Sequence, residues 1–168
     1  MKKQTLFSIL LAMMLTATFT ACSSSDDVQV TEAGKSNSLL MGKWELITKQ
    51  ELDKKGDVIG EDLSNSHNYP AQITEYHKQG ITIQTDFSSQ KDKQGNYFNE
   101  RSPRQWELIG TKLYLGISKS LEQKADQVYD VKVLDRGQLV IERKLDQYDI
   151  AKYSSNVSSI RIIYKKVL

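Results

Sequence analysis

The sequence predicts an all-β domain, with about eight antiparallel strands running up and down and closed into a barrel. Two observations predict the strands and a third predicts the closure. Short stretches of alternating apolar and polar residues recur from residue 40 to the C-terminus, separated by turns rich in Gly, Asp and Asn. No amphipathic helix of ordinary length interrupts them. Several of the turns are short, so neighbours in sequence become neighbours in space, and closing the sheet removes its exposed edges.

Leu40 to Lys49 (LMGKWELITK) alternates after Gly42. Trp44, Leu46 and Thr48 share one face, with Lys43, Glu45 and Lys49 opposite and Ile47 out of step, which is the period of a half-buried strand. Residues 51–69 lose the pattern. Asp53-Lys54-Lys55-Gly56-Asp57 reads as a turn and Glu61 to Asn68 is polar, so a long connection is expected here, either functional or simply solvated. Ala71 to Lys78 is a weakly patterned strand that turns at Gln79-Gly80. It pairs with a strand in which Ile81, Ile83, Thr85 and Phe87 alternate against Thr82, Gln84 and Asp86.

Residues 88–102 read as a polar loop broken only by Tyr97-Phe98. Arg104 to Ile109 puts Trp106 and Leu108 on one face, Gly110 turns the chain, and Leu113, Leu115 and Ile117 answer from the next strand. A polar connection follows over 118–126. Val128 to Leu134 carries Tyr129, Val131 and Val133 on one face; Asp135-Arg136-Gly137 is a tight turn, and Leu139 and Ile141 begin the return. Residues 145–158 are polar, with one or two helical turns expected over Asp146 to Tyr153. Ile160 to Val167 closes the chain with a strand apolar on both faces.

Ahead of this domain lie a leader and a tether. Lys2 and Lys3 precede an apolar run, Leu6 to Leu15, and then a mainly small and polar segment, Thr16 to Ala21, which is the pattern of a secretory signal. The run is shorter than the roughly 20 apolar residues of a spanning helix. Phe19-Thr20-Ala21-Cys22 holds the one cysteine in the chain. It resembles the lipobox of bacterial lipoproteins, which implies cleavage after Ala21 and acylation at Cys22. Two or more acyl chains anchor stably, at about 0.8 kcal/mol per buried CH2. The residue-level alternative is an ordinary cleaved signal followed by a cysteine. Ser25-Asp26-Asp27, soon after the cysteine, resembles the acidic surface-export tag of Bacteroidetes lipoproteins; the alternative is a solvated linker. The expected place is therefore the outer membrane, on its periplasmic face or the cell surface. The expected organisation is 1–21 signal peptide, 22–38 lipidated flexible tether and 39–168 barrel domain.

Removing the 21-residue leader from 168 residues leaves 147, one domain's worth of chain. It also removes two lysines from a net charge of +2, so the mature part is neutral and has no electrostatic reason to bind nucleic acid. With no second cysteine there is no internal disulfide, and stability must come from packing.

Gly42-Lys43-Trp44 resembles the G-x-W signature of lipocalins. The run from lipobox and tether through G-K-W-E-L to Trp106-Glu107-Leu108-Ile109-Gly110 and Tyr129 to Ile141 resembles the lipocalin-like lipoproteins of Bacteroidetes. The resemblance implies an up-and-down, lipocalin-like barrel with Trp44 packed at its closed end. It also implies a basic side chain from near the last strand over the Trp ring, for which Arg161 is the candidate through cation–π contact.

The residues point to no reaction. His67 and His77 have no third ligand at a metal-binding spacing, and no CxxC, HExxH, G-x-S-x-G or phosphate-cradling glycine loop occurs. No cofactor and no catalytic residue are expected. Phe87, Trp106 and Tyr129 are expected to face inward, where they either fill the core or line a pocket open at one end. Tyr69, Tyr97, Tyr148 and Tyr153 are expected in loops. Three functions follow: a membrane-anchored protein holding a small, mostly apolar ligand in the barrel, with residues 51–69 near the mouth; a filled barrel serving as an interaction module for a surface partner, such as one in glycan uptake; and a hydrolase, which no motif supports.

Overall fold

The computed structural model describes residues 38–116, 125–147, 149 and 151–168. The leader, Cys22 and the tether up to residue 37 lie outside the described residues, as do most of the 118–126 connection and Tyr148. Nine strands are described: β1 Gly42–Leu52, β2 Val58–Leu63, β3 Ile73–His77, β4 Ile81–Lys91, β5 Tyr97–Ile109, β6 Lys112–Gly116, β7 Gln127–Leu134, β8 Gln138–Lys144 and β9 Ser159–Val167.

All pairings are antiparallel, and β9 pairs back onto β1, so eight strands close a ring in the order β1-β3-β4-β5-β6-β7-β8-β9. This is the expected all-β, up-and-down closed barrel. The ninth strand, β2, lies within 51–69, where the sequence predicts only a connection. One edge of β1 serves two partners: Gly42–Glu45 pairs with β3, and Thr48–Leu52 pairs with β2. Ile47 is the extra residue of a β-bulge against β9, which explains why it falls out of step with the alternation. The polar stretch 88–102 is also largely strand, because β4 and β5 extend into a long hairpin turned at Asp92 to Asn96, where the Asp92 carboxylate accepts from the backbone amides of Gln94 and Asn96. Asp146 to Tyr153 contains hydrogen-bonded turns at Asp146–Asp149 and Asp149–Lys152 and no assigned helix among the described residues.

The turns after β3, β5 and β7 gather with the start of β1 at one end. There the apolar cores of the strands converge: Leu40, Trp44, Tyr76, Trp106, Leu108, Leu113, Leu134, Leu139 and Tyr164 form one buried cluster. Trp106 donates its indole N–H to the His77 and Ile81 carbonyls at 3.1 Å and meets Tyr76 edge to face at 5.6 Å. Gly80, at φ +73°, sits beneath it; a Cβ there would come 3.2 Å from the Trp106 carbonyl oxygen.

Candidate functional site: the open half of the barrel

The closed end is sealed by one cation. Lys166 Nζ lies 4.3 Å from the Trp44 ring centroid and donates to the Leu39 and Met41 carbonyls, while the Trp44 indole N–H donates to Leu40 O at 2.7 Å. Gly42, at φ +111°, makes the approach possible, since a Cβ there would stand 3.3 Å from Lys166 Cε. Burial pushes the Lys166 ammonium below its ordinary pKa. Arg161, the expected cover for Trp44, is elsewhere. The register sets Trp44 opposite Lys166 and places Arg161 beside Glu142, whose carboxylate it contacts at 3.0 Å. The basic residue over the ring thus sits further along the last strand than the resemblance implies.

At the other end the inner wall changes character. Leu46, Leu115 and Ile162 pack on the core cluster but stay partly exposed, forming an apolar floor. Above it most inward positions are polar, with buried Ile160, in phase with Ile162 and Tyr164, an apolar exception. On β4 the inward set is Thr82, Gln84 and Asp86, not the apolar alternation expected. Thr82 is 3% exposed, because it pairs with buried Tyr76, while Ile81 is 36% exposed. Phe87 is therefore carried to the outer face opposite Asn99, half-buried in a flank cleft, and is not an inner-wall residue. Periodicity separates two faces without saying which is inside, and on this strand the polar face is the inner one.

Trp106 and Tyr129 are buried. Trp106 belongs to the filled half. Tyr129 stands at the boundary, its hydroxyl donating to Gln127 Oε1 at 3.1 Å, and the Arg143 guanidinium lies 5.8 Å from its ring. Burial raises the Tyr129 pKa against the opposing pull of Arg143 and Arg104. Arg143 and Asp149 form a two-pronged ion pair with only 10% and 9% of their side chains exposed. The Arg143 guanidinium holds the Asp149 carboxyl down to about 2, and the bond to Asp149 raises Arg143 in turn. Arg104, on β5 in phase with Trp106 and Leu108, donates to Gln127 Oε1 at 3.2 Å.

Sequence reasoning missed Arg104, Gln127, Arg143 and Asp149. A signal existed for three of them. Arg104 shares the parity of Trp106, Gln127 that of Tyr129, and Arg143 that of Leu139 and Ile141. A charged or amide residue in phase with an apolar strand face is itself the mark of a polar inner wall.

The wall is interrupted on one flank. Between β2 and the upper part of β4, a cleft of about 170 Å³ is lined by Leu46, Asp62, Ser64, His67, Tyr69, Gln72, Asp86 and Phe87, among others. Gln72 and Gln84 both donate to the Asp86 carboxylate. His67 stacks on Tyr69 at 5.0 Å and contacts Asp62 at 3.1 Å. Among the described residues no group of three or more His, Cys, Asp or Glu side chains could hold a metal ion.

No family model matches the chain, and no curated protein matches it. Among solved structures it is similar to a lipocalin-like protein from Bacteroides uniformis, at 14% identity over 77% of this chain and 99% of that one, with a TM-score of 0.46. It is also similar to Japanin from Rhipicephalus appendiculatus bound to cholesterol, at 9% identity over 79% and 78%, with a TM-score of 0.44. Likeness at this level carries no functional weight.

Proposed function

We propose that the protein is a lipid-anchored binding protein that holds a small amphipathic molecule in the open half of its barrel. One observation carries this reading. The main apolar cluster lies towards the end sealed by Trp44 and Lys166, and beyond it partly exposed Leu46, Leu115 and Ile162 meet a largely polar inner wall. A barrel built only to be filled has no reason to change lining halfway. An eight-stranded barrel suits one small ligand, and the polar wall shifts its chemistry from the mostly apolar molecule expected towards one with a hydrogen-bonding end. Binding by burial and hydrogen bonding needs no covalent step. Residues 1–21 act as the leader, Cys22 carries the acyl chains, and 39–168 form the binding domain at the outer membrane.

Mass spectrometry of the intact protein, extracted gently from its native membrane, tests both halves of the proposal. The expected spectrum starts at Cys22, carries the mass of acyl chains, and holds a non-covalent small molecule that leaves on activation. An unmodified thiol on a freely secreted chain overturns the anchoring; a ligand-free domain that binds none of a panel of amphiphiles overturns the binding. A second reading, docking to a surface protein, is favoured by β2, which exposes Val58, Ile59 and Leu63 and, among the described residues, pairs with β1 alone.

A further inference from the structure

We infer that Arg104 is the anchor for the anionic end of the ligand, so that the barrel selects amphiphiles ending in a carboxylate. The inference rests on the binding reading above and names the chemistry of that site. A buried or half-buried guanidinium is ordinarily neutralised by a carboxylate in a matched fork. Two of the three such arginines obey the rule: Arg143 is paired with Asp149, and Arg161 with Glu142. Arg104 does not. Among the described residues its one polar partner is the amide oxygen of Gln127, at 3.2 Å, which the Tyr129 hydroxyl also uses.

Its position is that of a recognition group. Arg104 pairs in register with buried Thr82 and shares the inward parity of Trp106, which puts it just above the filled half. Leu115 pairs with both Trp106 and Gln127, so the apolar floor begins beside the guanidinium. A carboxylate on Arg104 would leave an attached alkyl chain to run over Leu115 towards Leu46 and Ile162. Two other carboxylates share the inward parity near this level: Asp86, both of whose oxygens already accept amide donors from Gln72 and Gln84, and its register partner Glu100, which is exposed. The part played by Gln127 is then definite, since its amide oxygen holds the guanidinium in place without neutralising it.

The test uses the full acylated chain in lipid nanodiscs, titrated calorimetrically with octanoate and with the neutral isostere octanamide, with titrations into empty discs subtracted. Octanoate is expected to bind more tightly than octanamide. Arg104→Gln should weaken octanoate roughly 10–100-fold and leave octanamide within about twofold of wild type, and Arg104→Lys should restore part of the preference. Thermal unfolding of each variant separates lost recognition from lost folding. If both probes bind equally and Arg104→Gln changes neither, the anchor is overturned while the binding reading stands. If neither probe binds the wild-type protein, both fall.

Discussion

Lys166 and Trp44 face each other across the β1–β9 ladder, with the ammonium 4.3 Å above the indole centroid and pinned between two carbonyls of the turn that closes the barrel. Replacing Lys166 by Met removes the cation–π contact and leaves the Leu39 and Met41 carbonyls without their donor. A loss of about 2 kcal/mol is expected in denaturant unfolding. Gly42→Ala should cost about 1–3 kcal/mol from its left-handed backbone alone, and combining the two changes should cost less than their sum, since both act on the same contact.

The Arg143–Asp149 pair predicts an acid-sensitive fold. Asp149 titrates at about 2 when folded, against an ordinary 3.8. A depressed carboxyl stabilises the folded state fully above its unfolded pKa and loses that contribution as pH falls through the folded value. The pair's contribution should therefore decay between about pH 4 and pH 2. Asp149→Asn leaves Arg143 buried, with Asp146 at 4.0 Å as its remaining ion-pair contact, and should cost about 3 kcal/mol near neutral pH. The gap between wild type and variant should narrow across the acid window, as measured by urea unfolding at a series of pH values.

The two faces of the β4–β5 hairpin can be told apart by truncation. Trp106→Ala empties a buried site and breaks an edge-to-face pair, for an expected loss of about 4 kcal/mol. Phe87→Ala, on the outer face, should cost less than about 1.5 kcal/mol. Equal losses would place Phe87 inside and reverse the assignment of faces.

Thr82 is buried and its hydroxyl has no hydrogen-bond partner among the described residues. Replacement by Val keeps the shape and removes the desolvated oxygen, so Thr82→Val should stabilise the protein by about 1 kcal/mol. A lower melting temperature in this variant would show that the hydroxyl is satisfied in solution.

What could be read from residues alone was the strand content and the closure, because period-two alternation and short turns act locally. Trp44, Trp106 and Tyr129 fell on the correct strand faces for the same reason. β2 escaped because Val58, Ile59 and Leu63 on this short strand are all exposed and show no alternation. The face of β4 was misread because its apolar residues are the outer ones. Lys166 could not be told from Arg161 without the β1–β9 register, since both are cations on the last strand. Asp149 meets Arg143 across a turn that no periodicity describes.

The shared edge of β1 has a mechanical consequence. Between neighbours in the eight-strand ring, separation means stripping a backbone ladder. Between β2, outside that ring, and the far end of the β4–β5 hairpin the described ties are side-chain bonds reaching the 64–72 segment: Gln72 to Asp86, and the Tyr97 hydroxyl to Asn68 O at 2.7 Å. Each is worth on the order of 1 kcal/mol, so thermal fluctuation can part the staves there long before the hoop fails. Cargo with a long tail would then slip in sideways through that slit and need not be threaded end-on.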